Sequence, residues 1–564
     1  MSADDLTPTP ATPTPATPTP VPGTPPPASS AGSVGRGLLA SAALIAAVTV
    51  VARVVGFGRW LSFSTGVGSY GVGEAYSSAN LLPNVLYEVV AGGALASAVV
   101  PLLAGPLARG NRVEIDRIVS ALIGWVLVVL VPLSVVLALL AGPLSKVLVD
   151  GDIDGQRALV ARMIAVFAPQ VALYGIGVVL TGALTAHRRF FWPAAAPLLS
   201  SLVVIVAYQV YGALTVSKQE VATLPGGAEA WLAWGTTAGV AVMTLPLLVP
   251  IRKAGIRIRP TLTFPSGVAR RGLALAAAGI SALLAQQASL LVALLLANHS
   301  DMVGAYIVFQ YTQAVYLLPY AVLAVPLATS AFPRLAERAN LGDHAGFAAT
   351  AASSTRLVVL VSLFGTAVLA GAAVPVGEFF TAIDRSGKSS QALASMGTAL
   401  TVMAPGLIGF ALIAHIGRAL YARERGRAAA VATAAGWGVV IVGSVVGVRV
   451  TSVVTGLAWG NTIGMSVAGL LLVLALRRVA GPGSTEGLGR LVLLAGLAAL
   501  AAAAAGQGVS HLVLDGRAAT VVWSLVAGVL AGAVATGVFG VLLAVLDRKN
   551  LGMLTERILR RSNS

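Results

Sequence analysis

The residues of this chain that could do chemistry are few, and most sit in apolar surroundings. Arg53-Val-Val-Gly-Phe-Gly-Arg59 sets two guanidinium groups six residues apart, and Glu74, Asn80, Asn84 and Glu88 follow. The last three recur every four residues, so one helix carries them along a single stripe. A charge held inside a bilayer costs several kcal/mol, roughly 2.5–3.5 on insertion scales, so those that persist are candidates to face a cavity. Two arginines beside neutral amides suit an anion, phosphate above all. The same arginines can instead snorkel to a membrane interface and pair with Glu74 or Glu88. Further along, Gln286, Gln287, Gln310 and Gln313 either line the same cavity or bond across helices.

Other chemistry is excluded. The chain has no cysteine, which removes thiolate metal sites, iron–sulfur clusters and a cysteine nucleophile. Its five histidines (His187, His299, His344, His415 and His511) match no metal-ligand spacing. No GxxxxGK[ST] loop is present to bind a nucleotide. No catalytic residue, metal or cofactor is therefore expected, and any work done must draw on membrane potential, an ion gradient or a substrate's own gradient.

The elements that position these residues follow from composition. Of the 564 residues, 57% are hydrophobic and 10% charged, and the mean hydropathy is +0.87. Soluble domains carry about 25% charge, so the chain is expected to be an all-α polytopic membrane protein. About 14 apolar spans are each long enough to cross a bilayer: 36–57, 75–103, 117–141, 158–184, 191–213, 230–250, 271–298, 302–331, 351–374, 391–416, 428–448, 453–476, 488–510 and 518–545. Arginine and lysine collect in the loops after even-numbered spans, as in Arg252, Lys253, Arg257 and Arg259, whereas Asp150, Asp152 and Asp154 follow the third. The alternation predicts a multi-pass bacterial inner-membrane protein with both termini in the cytoplasm. The net charge of +16 then meets anionic lipid headgroups, not nucleic acid. Pro169, Pro319 and Pro405 fall within spans and are predicted bends.

Two short matches, Pro101-Leu-Leu-Ala-Gly with Pro333-Arg-Leu-Ala-Glu and Gly182-Ala-Leu-Thr-Ala with Gly417-Arg-Ala-Leu-Tyr-Ala, recur at nearly one offset. They predict two six-helix halves, 35–255 and 256–480, followed by an extra helix pair at 481–545 and a basic tail at 546–564. Parallel halves of this kind are a transporter architecture with the substrate path between them. Residues 1–34 are a different regime. Ten of the 29 prolines lie between Pro8 and Pro27, so this Thr/Pro-rich tail is read as a disordered cytoplasmic spacer or a docking segment.

Together these motifs resemble the MurJ (MviN) family of the multidrug/oligosaccharidyl-lipid/polysaccharide exporter superfamily. Arg53-Val-Val-Gly-Phe-Gly-Arg59 is similar to the family's RxxGFxR, Leu82-Pro83-Asn84 with Gly92-Gly93-Ala94 and Pro101 to its LPN…GA…P, Phe191-Trp-Pro-Ala-Ala-Ala-Pro197 to FxxPAxxP, and Arg418-Ala-Leu-Tyr-Ala422 to RAFYA. The resemblance covers 36–545, including the 14-helix count. It implies a flippase that carries undecaprenyl-pyrophosphate-linked peptidoglycan precursor, lipid II, from the inner to the outer leaflet by alternating access; the partners expected besides this precursor are membrane lipids and, through the N-terminal tail, cell-wall synthesis proteins. It further implies that Arg53 and Arg59 face the pyrophosphate, that Glu74 positions or releases them, and that the last two helices guide the lipid tail. Tyr87 and Ala314 stand where the family carries basic residues. Two other functions stay open: export of another polyprenyl-linked glycan or a small molecule on the same fold, and a non-transporting scaffold for wall synthesis.

Overall fold

The computed structural model describes residues 31–89, 96–150, 153–216, 220–265, 268–517 and 520–546. Most of the 1–34 tail and nearly all of the 546–564 tail lie outside these residues, as do Gly92, Gly93 and Ala94. By its contacts the chain forms a unit of residues 1–47 and a unit of 48–564, and the packing and site described below belong to the second.

Among the described residues the regular structure is helical. Helices α1 (Ala31–Gly66), α2 (Val72–Tyr87), α3 (Ala96–Ala108), α4 (Arg112–Leu139), α5 (Ala141–Leu148), α6 (Gln156–Phe167), α7 (Gln170–Ala186), α8 (Phe191–Leu214), α9 (Gly226–Thr244) and α10 (Leu248–Lys253) precede a linker. They are followed by α11 (Val268–Asn298), α12 (Ala305–Pro319), α13 (Val325–Asn340), α14 (His344–Gly371), α15 (Ala373–Ile383), α16 (Ser390–Met403), α17 (Gly406–Ala422), α18 (Gly426–Val450) and α19 (Val453–Ala480). The pair α20 (Leu488–Leu514) and α21 (Val521–Leu546) comes last, packed on α14 and α15.

Among the described residues, eleven helices, or helices joined end to end, are long and apolar enough to cross a membrane, and the bent pair α16–α17 makes a twelfth. These coincide with predicted spans 3 to 14, and α1 with α2 and α3 occupies the ground of the first two, so the count of fourteen is compatible with the fold. Leu139, Val442, Leu500 and Val529 point outward with 76%, 64%, 70% and 71% of their surface exposed. Such rows match hydrocarbon, whereas water would penalise them.

Each predicted proline bend is a break. Pro169 caps α7 and Pro405 caps α17, because proline has no N–H to continue the ladder. The axis turns by 53° at the second. Pro319 ends α12 and opens a π-helical stretch, Tyr320–Ala324, before α13. The helix order also recurs. Asn111 caps α4 and Asp343 caps α14, each accepting a backbone N–H from three residues on, at 3.2 and 2.8 Å. The left-handed Gly71 and Gly304 (φ 56° and 77°) cap α2 and α12, and the only non-glycine residues with positive φ among those described, Arg188 (58°) and Glu424 (57°), follow α7 and α17.

Close helix approach relies on absent side chains. A Cβ on Gly460 of α19 would lie 2.3 Å from Ser444 Oγ on α18, and one on Gly456 would lie 2.4 Å from the Gly447 carbonyl carbon. Gly456, Gly460 and Gly464 are four residues apart, the small-residue spacing that lets two membrane helices meet backbone to backbone.

Candidate functional site

The first predicted span, 36–57, stops before Arg59, and Arg53 and Arg59 could converge on one anion only where Gly56 and Gly58 bent the chain. Instead α1 stays helical through both glycines to Gly66, and a Cβ at either would meet nothing within 4 Å. A continuous helix rotates by about 100° per residue, so positions six apart point in different directions. Arg59 turns into a cavity, while Arg53 is exposed and lines no part of it.

That cavity has a volume of about 330 Å³ and lies where α1 and α2 face α11 and α12. From α2 it receives Asn80, Asn84 and Glu88, so the four-residue stripe does face one space. The same stripe begins one turn earlier with Tyr76, which also lines the cavity. From α11 comes Gln287, whereas its neighbour Gln286 does not line the cavity, since adjacent helical residues diverge. From α12 come Tyr306, Phe309, Gln310, Gln313, Ala314 and Leu317. These positions are one face of a 3.6-residue helix, a signal present in the sequence around Gln310 and Gln313.

Among the described residues the guanidinium of Arg59 makes no hydrogen bond or ion pair, and the same holds for the carboxylate of Glu88. The wall thus carries one fixed cation and one acid among several neutral amides. Tyr87 packs on Tyr174 with ring centres 4.3 Å apart, and the Tyr174 hydroxyl donates to Asn84 Oδ1 at 3.2 Å. Ala314 lies on the wall itself.

Beyond Arg59 toward Gly66 the cavity ends in aromatic packing. Phe63 meets Tyr76 at 5.5 Å and Tyr208 at 5.2 Å, and the Tyr76 and Tyr208 hydroxyls are hydrogen-bonded at 2.9 Å. Behind them a polar seam joins the two sides. Ser389 Oγ donates to the Ser69 carbonyl at 3.2 Å, Ser69 and Ser386 share a hydroxyl contact at 3.4 Å, and the Arg385 N–H donates to the Ser64 carbonyl at 3.0 Å. Glu74 belongs here, outside the cavity. Its Oε1 accepts the Gly304 N–H at 2.6 Å, and its Oε2 accepts from Gly71 N–H at 3.3 Å and Gln156 Nε2 at 3.4 Å. The left-handed Gly304 permits this approach, since a Cβ there would lie 2.3 Å from Ser389 Oγ and 2.7 Å from the Ser69 carbonyl oxygen.

No group of three or more metal-ligating acid, cysteine or histidine side chains is found among the described residues. The arrangement can hold a polar, anionic group against one cation and several amides, with a hydrogen-bonded seam beyond one end.

Residues 63–527 match the family model described as lipid II flippase MurJ. The chain is 27% identical over 394 residues to a probable lipid II flippase MurJ of Rhizobium meliloti, covering 68% of this chain and 70% of that one. It is 30% identical over 241 residues to a probable lipid II flippase MurJ of Synechocystis, covering 42% and 44%. A solved structure of lipid II flippase MurJ in an inward closed conformation superposes with a TM-score of 0.70 at 18% identity, covering 89% of this chain and 98% of that one. A multidrug resistance MATE family transporter of the MOP superfamily, in an inward-facing conformation, superposes with a TM-score of 0.61 at 14% identity, covering 76% of this chain and 95% of that one.

Proposed function

The chain belongs to the MurJ family of lipid II flippases, and on that premise we propose that it moves undecaprenyl-pyrophosphate-linked peptidoglycan precursor from the inner to the outer leaflet by alternating access. The observation that carries this reading is the cavity between α1–α2 and α11–α12, with the unpaired Arg59 on its wall and a sealed seam at one end. Loop contacts support the sidedness. Arg189 of the loop after α7 donates to the Pro250 and Lys253 carbonyls, so arginine-rich loops meet one another. At the other end, the Arg162 guanidinium at the start of the α6–α7 span meets Glu229 at 2.7 Å. With the arginine-rich end cytoplasmic, both termini are cytoplasmic and the seam faces outward.

In this cycle the anionic link of the substrate pairs with Arg59, which costs little because the guanidinium has no partner to give up. The polyprenyl tail stays in lipid, guided by α20 and α21. Opening the seam and closing the inner end delivers the headgroup outward. The energy comes from membrane potential, an ion gradient or the lipid's own gradient, and Arg53 at the inner mouth aids capture.

The test is lipid II exposure in cells depleted of their own flippase and supplied with this protein, scored by a probe confined to the outer face. Restored exposure that is lost in Arg59→Ala supports the reading; a stably inserted protein that restores none overturns it. Tyr87 and Ala314 favour a second reading, a flippase for another polyprenyl-linked glycan. Removing residues 1–34 should leave transport intact, unlike the activity of a tail-dependent scaffold.

A further inference from the structure

We propose that the α11–α12 wall of the cavity is a saccharide subsite, in which Gln287, Gln310 and Gln313 with Asn80 from the opposite wall bind the hydroxyl and acetamido groups of a glycan, while Arg59 alone takes the anionic link. The subsite rests on the flippase reading above and states which part of the substrate the protein recognises.

The wall chemistry is the first support. Of the cavity's groups, the two charged ones, Arg59 and Glu88, both come from the α1–α2 side, and the α11–α12 side contributes amides, the Tyr306 phenol and apolar side chains only. A carboxamide offers two donors and an acceptor without net charge. That matches vicinal hydroxyls, which also donate and accept, and it does not match a pyrophosphate, which only accepts.

The second support is unmet hydrogen-bonding capacity. Gln287 is 4% exposed, yet among the described residues neither it nor Gln313 makes a side-chain hydrogen bond. Across the cavity, Asn80 Oδ1 is buried without a partner. Buried polar atoms in native proteins are nearly always satisfied. Asn80 Oδ1 is such an orphan, and the uncommitted Gln287 and Gln313 amides line the same cavity from the other side, so a polar ligand there can satisfy all three. Trp60, Tyr306 and Phe309 add flat apolar surface beside the amides, suited to the C–H face of a sugar ring. The volume of about 330 Å³ lies within the range of small-molecule pockets.

Where a wall of several cations would hold any polyprenyl pyrophosphate, a single cation with an amide wall should hold one well only when it carries its glycan. The experiment compares two probes on the full chain in lipid nanodiscs: undecaprenyl pyrophosphate without sugar, and the same lipid bearing the disaccharide-peptide. Binding is read by native mass spectrometry. The wild type should bind the glycosylated probe at least about tenfold more tightly, the effect of one or two added hydrogen bonds. The double variant Gln287→Met, Gln313→Met, which keeps side-chain length and packing, should lose that preference. Gln286→Met, outside the cavity, should keep it, and Arg59→Ala should weaken both probes. Equal binding of both probes by the wild type overturns the subsite and leaves the flippase reading standing, as does a double variant that keeps its preference. A wild type that binds neither probe overturns both.

Discussion

Glu74→Gln tests the seam directly. Two of the three hydrogen bonds of the Glu74 carboxylate, from Gly71 and Gln156, stay on its own side and do not change when the halves part. The third, from the Gly304 N–H to Oε1 at 2.6 Å, crosses the seam and exists only while it is closed. Glutamine keeps the size but has one acceptor oxygen, so it can serve Gly304 or the Gly71–Gln156 pair, not both. A hydrogen bond to a charged group contributes about 1.5–3 kcal/mol, so the closed state should lose roughly ten- to hundredfold in population relative to the open one. Ser389→Ala removes a neutral bond of about 1 kcal/mol and should shift the balance only a few-fold. The chain has no cysteine, so spin labels at Asp154→Cys and Gln391→Cys, both exposed in loops or helix starts near the seam, report its opening by electron–electron distance measurement. Glu74→Gln should add a longer-distance population that the wild type lacks. An unchanged distance distribution, with weakened binding of lipid II, would refute the latch and favour the alternative in which Glu74 acts on the arginines.

Other consequences follow from single positions. Arg59→Ala should abolish transport, whereas Arg53→Ala, exposed and outside the cavity, should retain most of it; equal losses in a transport assay would contradict the placement of Arg53. Ala314→Arg adds a cation to the wall and should raise the affinity for sugar-free undecaprenyl pyrophosphate about tenfold, which titration would show. Gly460→Leu drives a side chain into the α18 backbone and should destabilise the protein by about 1–3 kcal/mol or more, read as a lower melting temperature in detergent, while Gly438→Leu, which faces open space, should not. The Gly346 N–H and the Arg338 guanidinium hold the Asp343 carboxyl below the usual carboxylate range. Its capping of α14 is therefore fully present above the ordinary carboxylate pKa and is lost as pH falls through the depressed value. The stability difference between wild type and Asp343→Asn should shrink over that acid interval, and a difference independent of pH would remove the cap from the account.

What the sequence determined by itself is what depends on neighbours along the chain. Hydropathy over about 20 residues located the spans because a helix crossing lipid must satisfy its own backbone and be apolar throughout. The proline breaks at Pro169, Pro319 and Pro405 were legible for the same local reason, and the stripe of Asn80, Asn84 and Glu88 was legible from helical period alone. What only the tertiary structure decided concerns pairs far apart in the chain. Whether α1 bends at Gly56 and Gly58 depends on what packs beside it, and the straight outcome separates Arg53 from Arg59. Two adjacent glutamines look alike in sequence, yet the rotation of α11 turns Gln287 inward and leaves Gln286 out. Glu74 resembles a cavity acid until Gly304, 230 residues away, donates its N–H to it. Periodicity tells which residues share a face, but which faces meet across the two halves is set by long-range packing, and that packing is where this site is made.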